Sequence, residues 1–307
     1  MPQNQVQAPV PGGGIKQKIL FVSGKGGVGK SLVAAAVARR EAEAGRRVLL
    51  VEIGDLSYFK DLFHLERVGH SPVRVPGQGF DLAIWNGESC LREYVLHYLK
   101  LRRLYHVFFE NRVIRALINI APGLNEIAIL GKITSGIRKV GPPLDYDLII
   151  VDCYATGHAL ALLGAPRGLM EAVKIGPMGA QSREIDSVLR DPDLTAFWIV
   201  TLLEEMPVAE TLEFYQRLQE EFGIQSEVIV NKYLQLPISE RELETIAEGD
   251  AQGLGEFARY LGAVAERQGR FLKALEKAGA PLRKIPLIFT TETDCLIREA
   301  EEALRTT

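Results

Sequence analysis

Residues 24–31 read Gly-Lys-Gly-Gly-Val-Gly-Lys-Ser, a run whose residue types and spacing suit the binding of a polyphosphate. Gly24, Gly29, Lys30 and Ser31 fit the pattern G-x-x-x-x-G-K-[ST], in which glycines let backbone N–H groups close around phosphate oxygens. Gly24, Lys25, Gly26, Gly27, Val28 and Gly29 would line that cradle, with Leu32 just behind it. Lys30 would reach the β- and γ-phosphates, and the Ser31 hydroxyl would sit on Mg²⁺. A second oxygen donor stands at Asp152. It ends the apolar run Leu148-Ile149-Ile150-Val151 in the manner of a carboxylate that holds Mg²⁺ through water. Glu52 and Asp55 lie at the end of another apolar run, and from position alone each is as readily a turn or capping group as a chemical one.

These side chains need a scaffold that gathers strand ends. Residues 19–23 are apolar and strand-like, while residues 32–44 are rich in strong helix formers and stop at Gly45, so the phosphates would also meet a helix N-terminus. A strand over 47–53 then returns as a right-handed βαβ unit requires. Further strands are expected at 196–201, 227–231 and 285–289, separated by helices around 211–221, 254–278 and 294–304. The expected fold class is α/β: a P-loop NTPase with a mostly parallel sheet, helices on both faces and a helical insertion. A loose tail over 1–16, without the apolar core of a signal peptide, would precede a single domain over 17–307.

With 307 residues, 47% apolar and 24% charged, the composition is that of an ordinary soluble enzyme, and a net charge of -3 gives no overall reason to expect nucleic acid. Cys90, Cys153 and Cys295 are far apart, which suggests neither a disulfide framework nor a cysteine-built zinc site and points to the cytoplasm. No stretch of 18 residues stays apolar, so no transmembrane segment is expected. Residues 60–140 break the strand-helix rhythm, which places the helical, partner-binding insertion at about 60–140. Leu91, Tyr94, Val95, Tyr98, Leu101, Tyr105, Phe108 and Phe109 recur at helical spacing, but Leu96, Leu99 and Leu104 fall off that face. Between Glu88 and Val140 nine Lys and Arg stand against four acids, and a partner-binding surface and an internal layer with solvated basic residues are equally open readings.

The lysine directly after the first glycine, Lys25, makes the loop resemble the deviant Walker A loop of the class that includes ArsA, MinD and the nitrogenase iron protein. Three more stretches narrow the likeness. Residues 121–128, Ala-Pro-Gly-Leu-Asn-Glu-Ile-Ala, resemble the Pro-Gly-x-x-Glu segment of ArsA-type ATPases, and Val151-Asp152-Cys153-Tyr154-Ala155-Thr156-Gly157-His158 resembles their switch II. Residues 204–218, with Pro207 and Glu210-Thr211, resemble the stretch after the next strand, and Asn231 is similar to the asparagine that reads adenine. From about Lys18 to near the C-terminus the chain resembles the ArsA/GET family.

That resemblance implies an ATPase with ATP and Mg²⁺ as cofactors, working as a homodimer or as a heterodimer with a homologous ATPase. Lys25 would reach the partner's nucleotide, and the nucleotide state would govern binding of an apolar or membrane-associated protein client. The chain also departs from the family pattern. Leu32 stands where a second Ser or Thr is usual, and the C-x-x-C of the eukaryotic targeting factors is missing. In the family, switch I carries an aspartate that orients the attacking water; here Gly54 falls at that place and Asp55 one residue beyond, a displacement of up to about 3.8 Å. The catalytic set implied is therefore Lys25, Asp55 and Asp152, with slow or partner-dependent hydrolysis. The alternative is a low-turnover, nucleotide-sensing regulatory or scaffolding subunit.

Overall fold

The computed structural model describes residues 14–99, 123–173, 177–249 and 254–306. Its centre is β1 (Ile19–Gly24), buried along its whole length. Strand β1 lies in parallel between β5 (Leu148–Asp152) and β6 (Thr195–Thr201). Beyond β5 come β2 (Val48–Ile53) and then β4 (Asp81–Trp85), both parallel, with the two-residue β3 (Val73–Arg74) antiparallel at the edge. Beyond β6 come β7 (Glu227–Tyr233) and β8 (Leu282–Pro286). The described residues thus form one sheet in the order β3-β4-β2-β5-β1-β6-β7-β8, the α/β architecture the apolar strands require.

Period-two alternation divides each strand between two cores. Leu20 and Val22 face a layer made by α1 (Lys30–Glu43) and α11 (Thr293–Thr306), packing with Val33, Val37, Ile297 and Leu304. Ile19 and Phe21 face the opposite layer, built from α4 (Leu124–Ile133), α6 (Thr156–Ala172), α7 (Pro177–Arg190) and α8 (Glu205–Phe222). The remaining helices are α2 (Tyr58–Leu62), α3 (Gly87–Leu99), α5 (Ser135–Arg138), α9 (Glu240–Glu248) and α10 (Leu254–Lys277). Among the described residues no helix is long and apolar enough to cross a membrane.

Three expectations need correction, and one reading left open is narrowed. The stretch over 60–140 is not wholly helical, because β3 and β4 lie within it and β4 extends the main sheet beside β2; the helical part begins at Gly87. Asp81-Leu82-Ala83-Ile84-Trp85 is short and ends at Asn86-Gly87, so its strand character comes from pairing rather than from a long apolar run. The last strand runs over 282–286 rather than 285–289. Arg283 enters the ladder and pairs with Glu227, whereas Phe289 is 88% exposed beyond the strand. The tail expected to be loose up to residue 16 is anchored by residue 15: the Ile15 amide donates to Glu41 at 3.2 Å, and its carbonyl accepts from Arg46. Finally, the internal layer accounts for part of the 88–140 segment. Ile129, Leu130 and Ile133 are core, Lys132 is buried against Glu93, and Arg138 pairs with Glu184. Leu101, Leu104, Tyr105, Phe108, Phe109, Ala121 and Pro122 lie outside the described residues.

Candidate functional site

The loop between β1 and α1 turns on glycines that other residues could not replace. Gly24 has φ +145°, and a Cβ there would lie 2.1 Å from the Val200 carbonyl oxygen of β6. Gly29, at φ +96°, precedes α1 in the left-handed region, and a Cβ on it would come within 2.3 Å of Asn231 Nδ2. The loop is therefore held from behind by two strands. Asn231 is 2% exposed; its amide donates to the Val28 carbonyl at 2.9 Å and accepts from the Lys232 amide at 2.9 Å. With both ends of the amide engaged, Asn231 acts in this structure as a strut under the loop. Lys232 at φ +53° and the register shift between Val230 and Tyr233 put that strut in place.

Ser31 Oγ donates to Asp152 Oδ2 at 2.6 Å, which joins the start of α1 to the end of β5. The other oxygen of Asp152, Oδ1, is buried without a hydrogen-bond partner among the described residues. Burial pushes the Asp152 carboxyl up to about 6, against the pull of the Ser31 hydroxyl and of Lys30. Burial also lowers the Lys30 ammonium from the usual lysine value, although Asp152 opposes it; Lys30 Nζ donates to the Lys25 carbonyl at 3.0 Å. A glycine cradle and a half-buried ammonium fit a phosphate chain, and a hydroxyl and a carboxylate with an unused oxygen fit a hard cation such as Mg²⁺.

The two carboxylates of β2 separate in role. Glu52 is buried and accepts from the Tyr58 amide at 2.7 Å, the Phe59 amide at 3.1 Å and the Ser57 hydroxyl, so it caps α2. Asp55 is exposed and accepts from Asn86 Nδ2 at 2.6 Å. Just before it, the Gly54 amide donates to the Trp85 carbonyl at 3.0 Å, so switch I is tied to the end of β4. Lys25 does not stand free either: its ammonium pairs with Glu210 of α8. Leu32 packs against the α1 and α11 core.

The structure thus gathers Gly24 to Leu32, Asp152 and Asn231, and leaves Asp55 at the rim on Asn86. Reading the residues alone missed Asn86 and the pairing role of Glu210. Asn86 directly follows a strand that the sequence hid, and Glu210 was visible only as part of a motif 185 residues from its partner.

The sequence profile of the anion-transporting ATPase family matches residues 17–180 and 170–257, from before the loop to past the Asn231 strut. The chain belongs to this ArsA-type ATPase family. Relatives within reach of this ArsA-type chain include the ATPase BagA of Mycobacterium tuberculosis, 34% identical over 248 residues, which are 76% of this chain and 70% of that protein. A Halobacterium salinarum protein described as an arsenical pump-driving ATPase is 31% identical over 233 residues, 71% of this chain but 35% of its own length. An ASNA1 homologue of Cryptosporidium parvum is 24% identical over 250 residues, 71% of this chain and 65% of that protein. The ArsA-type loop, with Lys25 after Gly24, is inside the matched segment, as are Asp152 and Asn231.

Proposed function

We propose that this ATPase binds Mg-ATP in the 24–32 loop, closes as a dimer over it, and couples that closure to an apolar or membrane-associated protein partner. The observation that carries the reading is the Ser31–Asp152 pair with its unused Asp152 Oδ1, set beside Lys30 at the mouth of a glycine loop. Bound there, Mg²⁺ would supply positive charge against the β- and γ-phosphates. Lys30 would anchor the phosphates, Ser31 and Asp152 would hold the cation, and Asn231 would keep the loop open for them while its amide retains a second N–H and a second lone pair for adenine. Calorimetry tests the site: Lys30→Ala is expected to weaken ATP binding by about a hundredfold, the scale of losing a charge-assisted contact to phosphate. Undiminished affinity would remove the assignment.

Support for a dimer comes from what surrounds the loop. Leu56 is 92% exposed at the end of β2, and Tyr58 and Met206 are also open to solvent near the ends of β2 and β6, a set of apolar side chains suited to protein contact. Lys25, with its side chain about one-third exposed, is held by Glu210 in the single chain. A partner's phosphate would have to outcompete that carboxylate. Glu210→Gln is therefore expected to promote ATP-dependent association and Lys25→Ala to weaken it more than it weakens ATP binding, both read by light scattering. Unchanged assembly in both variants goes against the closure. The client side of the reading draws support from relatives named as pump-driving ATPases, and its surface would include α3, where Leu96 is exposed. The spacing of the cysteines suits a reducing, cytoplasmic setting.

A low-turnover regulatory subunit is the second reading, and Asp55 favours it. Its carboxylate is engaged by Asn86 and stands one residue past the family's place for the water-orienting aspartate. Saturating Mg-ATP is expected to give slow turnover that falls further in Asp55→Asn. Rapid hydrolysis that survives Asp55→Asn would place the base elsewhere.

A further inference from the structure

Asn86, between the end of β4 and the start of α3, uses both ends of its side-chain amide. Its Oδ1 accepts from the Ser89 amide at 2.8 Å, and its backbone amide donates to Ser89 Oγ at 3.3 Å, a reciprocal cap on the first turn of α3. Its Nδ2 donates to Asp55 Oδ1 at 2.6 Å. The cap fixes the orientation of the amide: with the oxygen engaged by a helix N-terminus, the amino group is the end that faces the Asp55 carboxylate. The residues on either side hold Asn86 in place. Trp85 is fully buried, pairs with Ile53 of β2, donates its indole N–H to the His70 carbonyl at 2.9 Å and carries the Lys132 ammonium 4.7 Å from its ring centroid. Gly87 is pressed on α4, where a Cβ on it would come within 2.3 Å of Asn125. Asp55 is built differently. It is exposed and follows Gly54, which has φ +149° and open space around the place of a Cβ. Of the two partners, the carboxylate is the one able to turn.

We propose that Asn86 is a positioning residue that works as a latch, holding Asp55 away from the nucleotide until their bond breaks. This rests on the reading of Asp55 as the carboxylate that takes the proton of the attacking water. Strand β4 lies on the far side of β2 from β5 and β1, so Asn86 draws Asp55 outward, away from Ser31, Asp152 and the phosphate loop. Use of Asp55 at the phosphates then requires a turn about Gly54 and the loss of a charge-assisted hydrogen bond, one of the stronger kinds in proteins. The α3 cap tightens the hold, because an amide whose oxygen accepts from a helix N-terminus is polarised into a better donor.

Steady-state ATP turnover of the full chain tests the latch. Asn86→Asp keeps an oxygen to cap Ser89 and turns a like charge toward Asp55, so kcat is expected to rise about tenfold or more while KM for ATP stays within about twofold of the wild type. Asn86→Ser also caps a helix but is too short to reach Asp55; it should move kcat the same way, and it decides the matter if Asn86→Asp does not fold. A residue that only supported the fold would lower the melting temperature without raising kcat. In the Asp55→Asn background neither variant should raise turnover. A folded variant with kcat unchanged or lower, while Asp55→Asn still lowers that of the wild type, overturns the latch and leaves Asp55 as the base. A gain that persists in Asp55→Asn overturns it too, because the effect then bypasses Asp55. If Asp55→Asn leaves wild-type turnover unchanged, the base lies elsewhere and the latch falls together with that reading.

Discussion

Asp152→Asn is expected to raise the melting temperature of the nucleotide-free protein by several degrees while lowering Mg-dependent ATP turnover by about a hundredfold or more. Burial pushes the Asp152 carboxyl up to about 6, even with the Ser31 hydroxyl and Lys30 favouring its charge; Glu52, its neighbour across the β2–β5 pair, adds to the rise. An aspartate in the unfolded chain titrates near ~3.9. Folding therefore takes up a proton between roughly pH 4 and 6, so the stability contribution of this group falls as pH rises through that window. Above about pH 6 the full cost of the buried charge is present, and below about pH 4 it is absent. Asparagine keeps the shape without the charge. The stabilisation of the variant, up to about 3 kcal/mol at neutral pH, should shrink towards zero below pH 4. Melting curves between pH 4 and 8 and phosphate release at saturating ATP check both halves. A variant no more stable than the wild type at pH 7 would show that the carboxylate is held at no cost to the fold.

Gly24→Ala is expected to be the most damaging single-methyl change in the loop, costing roughly 3 kcal/mol or more in urea unfolding. Two effects combine. The residue sits at φ +145°, where an L side chain is strained, and its Cβ would overlap the Val200 carbonyl oxygen at 2.1 Å. That oxygen belongs to a backbone locked in register, Gly24 against Val200, so it cannot rotate away as a flexible side chain would. Gly26 is the control. A Cβ there would meet nothing within 4 Å and its φ is not in the left-handed region, so Gly26→Ala should leave stability within about 0.5 kcal/mol of wild type. Equal losses in the two variants would mean that flexibility of the loop, not contact with β6, sets the requirement for glycine.

How far the site could be read in advance depended on how local its signals are. The phosphate loop and Asp152 at a strand end are short patterns whose meaning comes from a few neighbours, whereas Asn231 stood out only through the family resemblance; the fold brings Asp152 to Ser31 and Asn231 to the Val28 carbonyl. Glu52 and Asp55 lie within one turn of chain, and no local pattern separates them. Only the packing of α2 against β2 makes Glu52 a helix cap and leaves Asp55 at the rim. Strand β4 escaped because five residues carry too little periodicity to stand out; the ladder with β2 makes them a strand.

By itself the sequence determined the α/β class, the unbroken apolar runs that give the central strands two buried faces, and the eight residues able to wrap a polyphosphate. These follow from periodicity and glycine content, which act over a few residues. Only the tertiary structure decided that Lys25 is held by Glu210, that Asn231 braces the loop from below, and that Asp152 keeps one buried oxygen without a partner among the described residues. Those contacts join positions far apart along the chain. Their energies depend on burial and on the presence or absence of one nearby oxygen or nitrogen, quantities that do not exist until the sheet has brought its strand ends together.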